Sequence, residues 1–127
     1  MDRNRAQGLA RLAALAAMKR DAELAKLATV ARSRARLQEA LVTVRSSEAP
    51  LDPGEEVSDP ALVAARLAHR RWSEGQARRL NQQLAMLTVD WLRQKPAAAK
   101  AFGRAAVLDQ LAEKAQNDLR AKSARSD

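Results

Sequence analysis

The sequence predicts an all-α protein, an antiparallel two-helix coiled-coil hairpin with a longer second helix. Three observations carry that reading. Two Ala/Leu/Arg-rich stretches flank one acidic break, and three of the four prolines fall within residues 47–60. Proline lacks an amide donor and crowds the preceding turn, so it punctuates helices. Alanine supplies 29 of 127 residues, while Leu, Ile, Val and Phe together supply 25. That is thin for a globular core but sufficient for a narrow seam between two helices, with alanine giving strong helix propensity elsewhere. Lastly, apolar residues recur at steps of three and four, the spacing of one helix face. Two long helices joined once fold back on each other, so the chain reads as one hairpin over residues 1–127.

Helix one is expected over about residues 2–46, which hold no proline and one glycine. Leu27, Val30, Leu37, Leu41 and Val44 keep heptad spacing, with Arg34 at a seam position. Nearer the start the apolar stripe is Leu9, Leu12, Leu15/Ala16 and Leu24, a thinner seam that drifts against a strict seven-residue repeat. Some 45 residues at about 1.5 Å each give a helix of roughly 65 Å.

The break, residues 47–59, is expected to be an irregular tip. Leu51-Asp52-Pro53-Gly54 is turn chemistry, and Ser58-Asp59-Pro60 is a helix start. Asp59 suits the cap and Pro60 the first helical position. The carboxylates Asp52, Glu55 and Glu56 do not have the ligand spacing of a calcium loop, so no metal is expected there.

Helix two is expected over about 60–120. Val63, Leu67, Trp72, Leu80, Leu84, Leu87, Trp91, Phe102, Leu108 and Leu111 mark its apolar face, and Pro96 is expected to kink it near residues 92–96. Setting Val44 opposite Leu62 gives a register in which partner numbers sum to about 106. Arg34 then lies near Trp72, and residues beyond about 106 overhang. Leu108, Leu111 and Leu119 become an uncovered stripe at the open end, the first candidate partner-binding site. The second candidate is a basic girdle of Arg34, Arg70, Arg71 and Trp72, together with Arg32, Arg36, Arg78 and Arg79. Its plainer reading is a tryptophan seam anchor with arginine stems lying over it.

Charge is uneven: net +6 over residues 1–46, −5 over 47–60 and +7 over 61–127, for a total of +8. A basic body with an acidic tip suits an acidic protein surface or nucleic acid. Cysteine is absent, which removes disulfides and thiolate chemistry and fits a reducing compartment. No stretch is apolar enough to cross a membrane. The apolar run near the start is broken by Arg11 and lacks a cleavage-like tail, so a cytoplasmic protein is expected. His69 is the sole histidine, and no phosphate-cradling glycine loop or nucleophile elbow occurs. Neither a cofactor nor a catalytic role is expected.

With the segment Arg71-Trp72-Ser73-Glu74-Gly75-Gln76-Ala77-Arg78-Arg79-Leu80-Asn81 and the long helices around it, the chain resembles the FliJ/YscO-type coiled-coil proteins. These are stalk-like components of flagellar and type III secretion export. The resemblance rests on size, on composition and on a hairpin with a longer second helix. It implies a stalk or adaptor that docks into an export ATPase ring and contacts the export gate. The family has no catalytic motif to carry over, and the acidic tip departs from its pattern. Two other readings stay open: a basic helical nucleic-acid-binding protein, and a self-associating structural coiled coil that dimerises into a four-helix bundle.

Overall fold

A computed structural model of the chain describes residues 2–47 and 59–126. Helix α1 runs Asp2–Ser46 and helix α2 runs Pro60–Ser126. The chain is an all-α helical hairpin, and its second helix is the longer. The start of α2 has the capping chemistry its sequence calls for. Asp59 Oδ1 accepts the amide of Ala61 at 3.0 Å, and the Asp59 carbonyl accepts the amide of Val63 at 3.2 Å. Pro60 opens the helix, where its missing amide costs nothing. Pro96 lies inside an uninterrupted α2 and is exposed. The irregular tip expected at 47–59 falls almost wholly on residues 48–58, outside the described residues.

Two compact units make up the hairpin, one formed by residues 1–29 with 91–127 and the other by 30–90. In the first unit the helices meet through alanine. Ala6, Ala13, Ala98, Ala101 and Ala105 are buried, and Leu9, Ala16, Leu108, Ala112, Ala115 and Leu119 are half-buried. Near the ends of the chain, Lys122 Nζ donates to Asp2 Oδ2 at 2.7 Å. Residue numbers of facing groups therefore sum to 124 in this unit.

The seam here corrects the expected one. Leu12 is 52% exposed and Leu15 is 62% exposed, and Leu24 is exposed as well. The burial pattern keeps a strict seven-residue step through Ala6, Ala13, Arg20 and Leu27, and through Leu9, Ala16 and Glu23. The drifting stripe followed the large side chains; the buried positions follow the repeat. Leu12, Leu15 and Leu24 fall off that repeat and so face outward. Glu23 fills one seam position and is covered. Lys19 at 3.0 Å and Lys26 at 3.5 Å bracket its carboxylate. The hydrogen bond from Lys19 is the main reason its pKa lies below the ordinary value, against a smaller opposing effect of burial.

In the second unit the seam carries larger side chains. Leu41 is buried, and Val30, Leu37, Val44, Leu80, Leu84 and Leu87 are half-buried. Arg34 occupies a seam position, where its Nε donates to Thr88 Oγ1 at 3.2 Å. The Thr88 hydroxyl in turn donates to the carbonyl of Leu84 at 2.7 Å. That bond puts facing residue numbers at 122, not 106. The expected register had closed the loop too tightly. It paired Val44 directly with Leu62, whereas the observed sum sets Val44 level with about residue 78.

Candidate protein-docking faces

The corrected register changes both candidate sites. Residues 104–120 are not an overhang, because α1 runs alongside them. Leu9 of α1 shares a shallow groove with Leu111, Ala115 and Leu119 of α2. Leu108 and Leu119 are half-buried, and Leu111 keeps 45% exposure. Asp2, Arg5, Lys114, Asp118 and Lys122 edge the groove. The Lys122 ammonium, by hydrogen bond and charge, holds Asp2 below the usual carboxylate range, and Asp2 in turn raises Lys122. Both side chains are well exposed, so water and salt screen the pair.

The basic girdle divides. Arg34 is committed to the seam beside Thr88, and the register sets it level with that residue, sixteen positions along α2 from Trp72. Arg70, Arg71 and Trp72 stay together on α2, joined by Arg78 and Arg79 about two turns on; all are exposed. Arg70 Nε lies 3.8 Å from Glu74 Oε1. Trp72 is 55% exposed, and its ring stacks on His69 with centroids 5.8 Å apart and planes 27° apart. It is thus a surface aromatic rather than a seam anchor. The seam tryptophan is Trp91, half-buried with Lys95 Nζ 4.8 Å from its ring centre.

Surfaces that sequence reasoning missed lie outside the seams. In the first unit Leu12, Leu15, Met18, Leu92, Phe102 and Val107 each keep more than half their area in water. In the second, Leu67, Met86 and Val89 are 51%, 70% and 47% exposed. One signal was available: counting back by sevens from Leu27 and Val30 lands on Arg20, Ala13 and Ala6 and on Glu23, Ala16 and Leu9, and leaves Leu12 and Leu15 off the seam. Among the described residues no group of His, Asp and Glu is placed to hold a metal ion, and no helix is long and apolar enough to cross a membrane. Compared with family models, curated proteins and solved structures, the chain matches none.

Proposed function

We propose that this chain is a non-catalytic stalk or adaptor hairpin of a bacterial flagellar or type III export apparatus, and that it docks to an export ATPase. One observation supports a docking role above others: in the first unit several large apolar side chains lie outside the seam. Met18 at 68%, Leu15 at 62% and Phe102 at 57% exposure are not used to hold the hairpin together. A helix pair that packs through alanine and turns leucine, methionine and phenylalanine outward is built to present surface. The particular apparatus comes from the resemblance to FliJ/YscO-type proteins. The cytoplasmic location and the absence of catalysis are parts of the same proposal. The test is binding of the full chain to a purified export ATPase ring, read by sedimentation. Co-migration that Leu15→Glu or Phe102→Glu abolishes, with helicity kept, supports the proposal. No co-migration at micromolar protein defeats it.

A further inference from the structure

Gly75 lies inside α2, where glycine costs about 1 kcal/mol relative to alanine. Among the described residues no contact requires it. Its φ is not positive, and a Cβ added there meets no atom within 4 Å. The residues three and four away on a helix are the surface neighbours of any position. For Gly75 these are Arg71, Trp72, Arg78 and Arg79. The bare helix surface at Gly75 is therefore a shallow dimple, flanked along the helix by three arginines and one tryptophan. Among the described residues no carboxylate forms an ion pair with Arg71, Arg78 or Arg79; Arg78 Nε reaches only the Glu74 carbonyl, at 3.5 Å. The dimple lies away from the seam residues Ser73, Ala77, Leu80 and Leu84, all buried or half-buried.

The face continues past the dimple. Gln82, Met86 and Val89 follow Gly75 at helical steps of seven, four and three, and Leu67 precedes Arg71 by four. Leu67, Met86 and Val89 are about half-exposed or more. From Leu67 to Val89 the face is about 33 Å long, close to the length of a 20-residue helix. Aliphatic side chains stand at both ends, and positive charge with no ion pair among the described residues at Arg71, Arg78 or Arg79 stands in the middle.

We propose that this outer face of α2 is a docking strip for an acidic amphipathic helix of a partner protein. Carboxylates of the partner sit between Arg71, Arg78 and Arg79, and its backbone approaches closely over Gly75. Its aliphatic residues cover Leu67 at one end and Met86 and Val89 at the other. Guanidinium forks match carboxylates in geometry and charge. A polynucleotide fits less well, because it needs successive aromatic platforms and gains nothing from Leu67, Met86 or Val89. An anionic lipid surface fits less well too, since it calls for a continuous apolar face with basic flanks, and here the charge interrupts the apolar residues. The inference rests on the adaptor reading and gives that role a surface and a partner chemistry.

The experiment uses the full chain and three probes: a labelled 20-residue Leu/Glu helical peptide, a 20-nucleotide oligothymidine, and phosphatidylserine vesicles. The peptide is expected to bind best, and more weakly as salt is raised. The double variant Arg71→Glu/Arg78→Glu is expected to lose tenfold or more in peptide affinity. Gly75→Leu fills the dimple and is expected to weaken the peptide severalfold while keeping or raising thermal stability, which separates docking from folding. Peptide binding unchanged in both variants overturns the proposal, as does no peptide binding at all. Tighter binding of the oligonucleotide or the vesicles, lost in the same variants, reassigns the strip to that partner class and overturns it as well. If the peptide result fails while ATPase co-migration persists, only this placement is lost and the adaptor function stands.

Discussion

Replacing Ala105 with leucine puts three extra carbons where the structure has none to spare. Ala105 is 0% exposed and belongs to the run of buried alanines that includes Ala98 and Ala101. Overpacking a close-packed seam costs about 1–3 kcal/mol. For a chain of this size about 1 kcal/mol moves the melting temperature by roughly 4 °C, so a drop of about 4–12 °C is expected. The companion variant is Leu15→Ala. Leu15 is 62% exposed, and a surface change of this kind stays within about 0.5 kcal/mol, with alanine the better helix former. Its melting temperature is expected to shift by less than about 2 °C. The opposite packing, with leucine in the seam, predicts a loss of about 2–5 kcal/mol at Leu15 and little at Ala105. Thermal unfolding followed by circular dichroism at 222 nm decides between them. A Leu15→Ala variant that melts well below the parent, beside a neutral Ala105→Leu, refutes the alanine seam.

Gly75→Ala is expected to raise stability by about 1 kcal/mol in the same melt, since the site is helical and open. Asp59→Ala removes the cap on the Ala61 amide and is expected to cost about 0.5–2 kcal/mol, read as earlier loss of helix from the start of α2 in hydrogen exchange. Asp2 and Glu23 both have folded pKa values depressed below their ordinary 3.8 and 4.5. Their contribution is present above those ordinary values and is lost as the pH falls through the depressed ones, so Glu23→Gln is expected to flatten the acid limb of a stability–pH curve. Lys122 is raised above its ordinary 10.5, so the same pair with Asp2 weakens as the pH climbs through that raised value. An unchanged acid limb in Glu23→Gln speaks against the Lys19 and Lys26 contacts.

The hairpin and the start of α2 at Asp59-Pro60 were legible because proline, glycine and capping residues act locally. The register was not. It depends on which positions are buried, and the large apolar side chains of Leu12, Leu15 and Phe102 mark positions that the structure leaves in water. Charged residues at the seam positions Arg20 and Glu23 hide the seven-residue step in the first unit, because a carboxylate such as that of Glu23 can reach an ammonium and stay. The error propagated to the candidate sites. With partner numbers near 106, Leu108 and Leu119 looked uncovered and Arg34 looked adjacent to Trp72. With the sum at 122, Arg34 goes to Thr88; at 124, α1 reaches alongside Leu119. Arg70, Arg71 and Trp72 stayed together only because neighbours on one helix need no register.

Both seams and the groove at Leu9 depend on how the helices pair, and a pair of introduced thiols measures the register of the second unit directly. The chain has no cysteine, so Arg34→Cys/Thr88→Cys carries two unique thiols. A short bismaleimide is expected to join them within one chain, seen as a faster monomer band on a denaturing gel. Arg34→Cys/Trp72→Cys is the contrasting pair. Thr88 and Trp72 are about 24 Å apart along α2, so this pair is expected to stay unjoined. Cross-linking of position 34 to position 72 and not to position 88 contradicts the register.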